Sequence, residues 1–536
     1  MKMPSVMSPS KRFAKVPQAS IPRSVFDRSH GYLTTFDQGR LIPVLCDEVY
    51  PGDTFNCKMT AFARLNTPIK PLMDNMYLDS FFFFIPYRLV WENFTRMMGE
   101  EVTPGSSISY TIPQGTVPAG GYNTGTLQDY FGLPVGVGPG SPAWSHSCLP
   151  VRAYYRVYNE WFRDENLCGW RNGIGGSGAL DLGNGPDVYG SGGAATMRRG
   201  KRHDYFTSCL PWQQKGTAVD MPIGSITGSG TPTFEGVTSS NLGNLEVAAT
   251  SGTPVEMSAT SGWTAGEDLE WGSPALSLSA PTISELRESF QIQKLLERSA
   301  RSGTRYPEII RSVFGVTDPS HAVLQRTEYL GGGSAPIIVN SVSQQAATDT
   351  GTSSGTPQGN LAGIGTMVAV DHGFVKSFTE YGIVLGMVAV RTDLRYQEGL
   401  ERWWSRETRY DMYYPEFAHL SEQAVLNKEI YTQGNSDDDA AFGYQERFAE
   451  MRYKPSRVTG QFRSSPTSGA SLDVWHLAQE FGSLPTLNET FIQDGMDVDR
   501  VIATPTEPHF NLDCYFRYIC ARPLPVFSVP GLIDHL

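Results

Sequence analysis

The sequence predicts a β-sandwich core, with a jelly roll as the favoured form, carrying very long loops and a few helices. Glycine and proline are frequent, at 55 and 36 of 536 residues, and aromatic residues make up 11 % of the chain. This composition is typical of short strands and long connections around an ordered core. Strand-like runs extend from the N-terminal third to the C-terminus, which favours two sheets built from both chain halves over domains in series.

The first half of the chain contains strand-like segments at Leu41–Leu45 and Thr54–Ala63. Met76–Arg88 follows, with four consecutive phenylalanines. A run that is apolar on both faces and ends near a proline is typical of a strand buried between two layers. Residues 104–150 are rich in Gly, Pro, Ser and Thr and predict a long loop. Val151–Glu165 then predicts a helix, because its aromatic and aliphatic residues recur at helical spacing.

The second half begins with a well-marked helix. Thr282 and Glu285 form a T-x-x-E capping box, and an apolar stripe runs from there to Gly303. A shorter helix is predicted around Pro307–Phe314. The remaining predicted elements are a connection over residues 331–365 and strands at Met367–Val370, Tyr381–Val390 and Cys514–Cys520.

Charge is distributed unevenly along the chain. The formal net charge is −12, which argues against general affinity for nucleic acid because phosphate binding needs a positive field. Residues 1–30 are an exception and predict a basic N-terminal arm. Lys11, Arg12, Lys15 and Arg23 in this arm are candidate DNA-facing residues, and a solubilising tail is the alternative interpretation.

Residues 216–281 form the strongest compositional boundary within the predicted folded domain at 31–536. Lys, Arg and His are absent from this stretch, whereas Gly, Ser, Thr and acidic residues are frequent. We predict an inserted, solvent-facing subdomain whose acidic surface is unsuited to DNA, since like charges repel. Trp263 and Trp271 stand isolated within it.

No pattern of reactive residues predicts a catalytic, cofactor-binding or metal site. Seven cysteines are an odd number and form no C-x-x-C pair, so free thiols in a reducing cytoplasm are expected. The glycine run Gly331–Gly333 lacks the Lys and Ser/Thr of a phosphate-binding loop, and Asp437–Asp439 lacks the spacing of a calcium loop. The longest apolar runs, Phe81–Ile85 and Ile383–Val390, are too short to span a membrane.

Two segments that contain several basic residues are candidates for binding a nucleic acid or a protein. Arg198, Arg199, Lys201 and Arg202 lie in one tight group followed by aromatic residues, a pattern that suits single-stranded nucleic acid because phosphates take the charge and bases stack on rings. An ion-paired contact within or between subunits is the alternative. Arg391–Arg409 mixes arginines with tryptophans and acidic residues, and it favours a protein interface over a DNA groove.

Several long segments resemble the major capsid protein of gokushoviruses, within the Microviridae. They occur in family order and cover nearly the whole chain, and each is compositionally unusual. The matching blocks are Tyr77–Phe94, Pro150–Asn166, Arg198–Gly216, Phe290–Gly333, Met412–Tyr431 and Arg522–Leu536.

The resemblance implies an eight-stranded viral jelly roll that assembles through pentamers into a T=1 icosahedral shell around circular single-stranded DNA. It implies a virion protein made in the bacterial cytoplasm, without catalytic activity, cofactor or membrane insertion. The implied partners are an internal scaffolding protein, a DNA pilot protein, a small basic DNA-binding protein and a host surface receptor. The family's surface insertion, expected as a protrusion near the threefold axes, matches residues 216–281, so Trp263 and Trp271 become candidate host contacts.

A carbohydrate-binding or carbohydrate-active β-sandwich is the alternative function. The Gly/Ser/Thr-rich loops and the two isolated tryptophans of the insert motivate it. An enzyme of that kind would need a poised pair of carboxylates, and no such pair stands out in the sequence.

Overall fold

The computed structural model describes residues 22–140, 144–172, 178–220, 282–316, 326–347, 357–467 and 469–527, and the backbone of four short strands between residues 226 and 278. The chain divides into two compact units. The larger unit comprises residues 1–213 and 302–536, and the smaller comprises Gln214–Arg301.

Nine antiparallel strands of the described residues form one hydrogen-bonded sheet that folds back on itself. All of them belong to the larger unit. They are β1 (Ser24–Asp27), β2 (His30–Phe36), β3 (Ile42–Val49), β4 (Thr54–Leu65), β5 (Met76–Pro86), β6 (Glu328–Ser343), β7 (Leu361–Ser377), β8 (Gly382–Thr392) and β9 (Phe510–Arg522).

The order of these strands is that of a jelly roll. One face has the order β2-β9-β4-β7, and the other has the order β3-β8-β5-β6. The faces join where residues 338–343 of β6 pair with residues 361–366 of β7. Counted from β2, the strands of one face are the first, eighth, third and sixth, as two interlocked Greek keys require. The predicted fold class is therefore confirmed.

The core lies between the two faces. Side chains alternate strictly along β4, so that Phe55, Cys57 and Met59 are buried while Asn56 and Lys58 between them face outward. They meet Phe82 from the opposite face and Phe510 and Phe516 from β9 in one cluster. This alternation is what a half-buried strand requires.

The outer face of the second sheet is covered by a further layer. Helix α1 (Leu149–Val157) continues as a wider π-helical turn over Tyr158–Phe162. Its Tyr154 packs in the same cluster as Phe83 of β5 and Leu385 of β8. These strands are consequently buried on both sides, as the four consecutive phenylalanines predict.

The prediction of a connection over residues 331–365 is wrong for most of that range. Residues 331–343 continue β6, and β7 begins at Leu361. The glycines of this run allow close strand packing: a Cβ on Gly333 would lie 2.6 Å from the ring of His372, and one on Gly332 would overlap the carbonyl oxygen of Ser80. Glycine is required here by close approach of neighbouring groups, not by a turn.

Gly373 in β7 provides a test of this close approach. We expect Gly373→Ala to lower the free energy of unfolding by about 1–3 kcal/mol, because an added Cβ would overlap the carbonyl oxygen of Cys57 on β4. The matched control is Gly120→Ala, since a Cβ there meets no atom within 4 Å. Chemical denaturation of the unassembled chain measures both, and equal stabilities for the two variants would contradict the packing argument.

Two longer helices follow the insert region. Helix α2 (Ile283–Arg301) belongs to the smaller unit and begins at the predicted capping box. The Thr282 amide donates to Glu285 Oε2 at 2.8 Å, and the Glu285 amide donates to Thr282 Oγ1 at 3.2 Å. Helix α3 (Tyr306–Phe314) confirms the second predicted helix and ends at Gly315, whose φ of 69° is the left-handed conformation that favours glycine.

Short elements complete the described structure. Four-residue helices lie at Phe94–Met97, Leu127–Tyr130, Asn427–Ile430 and Glu489–Ile492. Small sheets pair Gln114–Thr116 with Ser145–Ser147 and Asp187–Val188, Glu422–Leu426 with Ala441–Glu446, Arg395–Tyr396 with Ser456–Arg457, Ile226–Thr227 with Ser277–Leu278, and Phe234–Gly236 with Leu269–Trp271. Among the described residues, no helix is both long and apolar enough to cross a membrane.

Candidate nucleic-acid interface and assembly surface

The basic segment at residues 198–202 is held against the sandwich by ion pairs. Arg199 Nη1 lies 2.6 Å from Asp79 Oδ2 on β5, and Arg391 Nε lies 2.8 Å from the same oxygen. Burial opposes ionisation of Asp79, but hydrogen bonds from Ser334 and Arg199 outweigh it, so the pKa of this carboxyl is lowered. The charge of Arg199 is thus largely neutralised by Asp79 within the protein.

The other basic residues of this segment make different contacts. Arg198 Nη1 donates to the carbonyl oxygen of Asp494 at 3.1 Å. Lys201 Nζ donates to Gln479 Oε1 at 2.9 Å, and burial lowers the pKa of Lys201 to about 8. The Arg202 side chain is exposed, and no carboxylate of the described residues forms an ion pair with it. The positive charges of Lys201 and Arg202 are therefore not cancelled by an ion pair.

A cavity of about 610 Å³ opens beside this segment. We call it the aromatic-basic pocket. Basic groups on its wall come from residues 199–203 and from Arg163, and Asp164 is the single carboxylate among the described residues that line it. Phenylalanine, tryptophan and tyrosine rings of the described residues also line it: Phe81, Phe83, Trp161, Phe162 and Tyr329.

The rings of the aromatic-basic pocket support one another. The ring centroids of Phe81 and Phe162 are 5.0 Å apart, and those of Phe83 and Trp161 are 5.5 Å apart. Tyr329 on β6 lies 5.5 Å from Phe83 in an edge-on arrangement. Trp161 and Tyr329 remain 39 % and 45 % exposed, whereas Phe83 is 1 % exposed. The pocket therefore has a fixed aromatic floor with two rings accessible to a ligand.

The aromatic residues that follow the basic segment in sequence do not line this pocket. Tyr205 and Phe206 are 4 % and 3 % exposed and belong to a separate core cluster. Arg23, the candidate from the basic arm that the structure describes, donates to Thr54 Oγ1 at 2.5 Å. Lys11, Arg12, Lys15 and Trp263 lie outside the described residues. Trp271 ends the short strand at Leu269–Trp271.

A second surface is formed by residues 403–420, which we call the aromatic arm. It lacks regular structure apart from short 3₁₀ turns, and almost all of its side chains point to solvent. Seven large side chains are between 44 % and 60 % exposed: Trp403, Trp404, Tyr410, Met412, Tyr413, Tyr414 and Leu420. A soluble monomer rarely exposes so many contiguous apolar groups.

The aromatic arm is fixed in place by ion pairs at its start. Arg402 Nη1 donates to the carbonyl oxygen of Ala424 at 2.7 Å and pairs with Glu429 at 2.9 Å. Arg406 pairs with Glu450 at 3.0 Å. The arm itself carries both arginines and carboxylates, a mixture that fits a protein partner better than a polyanion. The start of the arm, with Trp403 and Trp404, is therefore held in place before any partner binds.

Reactive side chains outside these surfaces have structural roles. His372 Nδ1 lies 2.8 Å from the Ser80 hydroxyl, and burial lowers its pKa. Among the described residues, no cluster of three or more His, Cys, Asp or Glu side chains could hold a metal ion. A jelly roll with an exposed aromatic arm of mixed charge defines the class of the molecule: a β-sandwich protein with a surface suited to a protein partner.

Comparison with known proteins identifies the family. A family profile described as "Capsid protein (F protein)" matches residues 14–532. The capsid protein VP1 of Chlamydia phage 1 is 41 % identical over 606 residues, covering 99 % of each chain. The VP1 proteins of Bdellovibrio phage phiMH2K and Spiroplasma virus 4 are 43 % and 35 % identical, with 97 % and 96 % of each chain covered.

The chain therefore belongs to the capsid protein (F protein) family of Microviridae bacteriophages. The resemblance to gokushovirus capsid proteins is confirmed, and the molecule is a structural component of the virion, not an enzyme. Because the relatives are capsid proteins, the carbohydrate-active alternative is set aside.

Proposed function

We propose that copies of this chain assemble through pentamers into a T=1 icosahedral shell that encloses a circular single-stranded DNA genome. The observation that supports this most directly is the aromatic arm, whose seven exposed side chains offer far more apolar surface than an isolated chain should leave in water. A neighbouring copy that covers the arm completes this burial. Symmetric contacts of one type, repeated around an axis, close a ring.

Charge explains why the shell needs partners. A chain of net charge −12 cannot neutralise a genome alone. A small basic DNA-binding protein supplies the missing positive charge, and an internal scaffolding protein and a DNA pilot protein assist assembly and delivery. In the basic arm at residues 1–30, the candidate residues Lys11, Arg12, Lys15 and Arg23 precede strand β1, and this part faces the interior and adds positive charge next to the DNA.

The enclosed genome can be tested on particles assembled with the scaffolding partner and purified after nuclease treatment. We expect circular single-stranded DNA to be protected from nuclease. Replacing Lys11, Arg12 and Lys15 by glutamine should reduce the amount of protected DNA per particle. Particles that never protect DNA would contradict the enclosure of a genome, and an unchanged amount in the variant would assign the arm a solubilising role only.

The acidic insert at residues 216–281 serves host attachment in this proposal, as a protrusion near the threefold axes. Its composition of Gly, Ser, Thr and acidic residues suits a solvated surface and repels DNA. Trp263 and Trp271 supply the large side chains that dominate contact energies at recognition surfaces. In this proposal, the host receptor is contacted by a segment that is separate from the sandwich core.

Deletion of residues 216–281 with a short Gly/Ser linker tests the attachment role. We expect closed shells of normal diameter that lack the protrusions and fail to adsorb to host cells. A second variant, Trp263→Ala with Trp271→Ala, keeps the insert and should weaken adsorption without changing particle yield. Normal adsorption of the deleted particles would contradict the receptor role.

A further inference from the structure

We infer that the aromatic-basic pocket binds one nucleotide unit of single-stranded DNA, with the base against Trp161 and Tyr329 and the phosphate at Lys201 and Arg202. The inference rests on the proposed enclosure of a single-stranded genome and names the site on the chain that contacts it. None of the rings involved adjoins the basic segment in sequence.

The first argument is the arrangement of rings. Trp161 is fixed because its indole nitrogen donates to Thr327 Oγ1 at 2.8 Å and the Arg326 guanidinium lies 4.0 Å from its ring centroid. Tyr329 stands 6.1 Å from Trp161, centroid to centroid, and leaves nearly half of its surface exposed. Aromatic rings held at the rim of a groove are the platforms on which unpaired bases stack, without sequence preference.

The second argument is local charge. Among the described residues, the pocket is lined by Arg163, Arg199, Lys201 and Arg202 against the single carboxylate of Asp164, although the whole chain is strongly acidic. Even with Arg199 committed to Asp79, positive charge prevails on the wall. Lys201 Nζ donates to the uncharged side chain of Gln479, and burial lowers the pKa of Lys201. The negative charge of a bound phosphate would favour the protonated form of Lys201.

The third argument is size and access. A volume of about 610 Å³ falls within the range of roughly 300–1,000 Å³ that is usual for small-ligand sites, so a base with its sugar and phosphate can be accommodated. A strand of DNA could enter and leave because the exposed Arg202 and Tyr329 lie at the surface. An acidic, aromatic peptide from another virion protein would match some of the same chemistry, and the experiment below separates the two.

The test measures binding of a fluorescent oligo(dT) and of an abasic oligomer of equal length to the unassembled full-length chain. Tyr329→Ala should weaken oligo(dT) binding by about 5- to 150-fold, the range for loss of one stacked base, and leave the abasic oligomer unaffected. Arg202→Ala should weaken the binding of both oligomers. It should also reduce the slope of log affinity against log salt by about the amount expected for one phosphate contact.

Two control variants keep the test specific. Tyr515→Ala removes a 56 % exposed tyrosine from β9, and Arg409→Ala removes an exposed arginine from the aromatic arm. Neither variant should change the affinity of the unassembled chain for either oligonucleotide. Wild-type affinity for DNA in both pocket variants would overturn the inference. It would also be overturned if the variants kept DNA binding but lost binding of an acidic, aromatic peptide measured in the same assay. Nuclease-protected DNA in wild-type particles would show that the proposed genome enclosure survives such a result.

Discussion

Replacing Trp403 and Trp404 together with alanine is expected to abolish shell assembly while leaving the chain folded. The two rings lie 3.8 Å apart, centroid to centroid, with their planes tilted by 31°, and are 48 % and 60 % exposed, so little of the fold depends on them. Truncation of a tryptophan at the centre of an interface commonly costs about 2–4 kcal/mol of binding. Because each copy in a closed shell repeats the contact, the loss accumulates and particles should fall below detection.

The measurement is particle yield after co-expression with the scaffolding partner, scored by sedimentation. The matched control is Trp403→Phe with Trp404→Phe, which retains aromatic surface and should restore most of the yield. A thermal melt of the unassembled chain should give the same midpoint for all three proteins. Wild-type yield from the alanine variant would show that the arm contacts nothing essential in the shell.

Replacing Arg152 with methionine is expected to lower the free energy of unfolding by about 3–5 kcal/mol. The Arg152 and Asp187 side chains are 0 % and 1 % exposed and pair at 2.5 Å. Arg152 also donates to the carbonyl oxygens of Val90 and Gly183, which ties helix α1 to the loops beneath it. Removing the guanidinium leaves a buried carboxylate without its counter-ion.

The double variant Arg152→Met with Asp187→Leu separates the ion pair from its packing. Replacement of both partners by apolar groups should recover part of the loss, because no buried charge is left uncompensated. Urea denaturation of the unassembled chains measures all variants. A single variant as stable as the wild type, or a double variant less stable than the single, would contradict the electrostatic explanation.

Much of the fold follows from local patterns. The four phenylalanines of β5 require burial on both faces, and the structure supplies a second sheet on one side and helix α1 on the other. The capping box at Thr282 and Glu285 fixes the start of α2 because both hydrogen bonds are local. Such features depend on residues only a few positions apart.

The strand β6 could not be predicted in the same way. Its Gly331–Gly333 run has the composition of a loop, and the reason for glycine is the close approach of Ser80 on β5 and His372 on β7. Both neighbours are distant in sequence, so the requirement becomes visible only when the strands are paired. Long-range packing decided the local structure there.

The two candidate surfaces could also be predicted only in part from the sequence. The basic residues at 198–202 and the mixed charges around Trp403 are visible in the sequence, and the structure adds how each is engaged. The aromatic-basic pocket joins Phe81 from β5, Trp161 from the π-helical turn after α1 and Tyr329 from β6. No spacing rule connects positions so far apart, so the pocket could be found only from the folded chain.

The central claim is that this chain completes the burial of its aromatic surface by contact with identical copies. Electron microscopy of the purified protein, assembled with its scaffolding partner and resolved to side-chain detail, tests this most directly. We expect closed particles of T=1 symmetry in which Trp403 and Trp404 are buried against a neighbouring copy. Solitary molecules under all assembly conditions, or shells in which the aromatic arm faces open solvent, would contradict it.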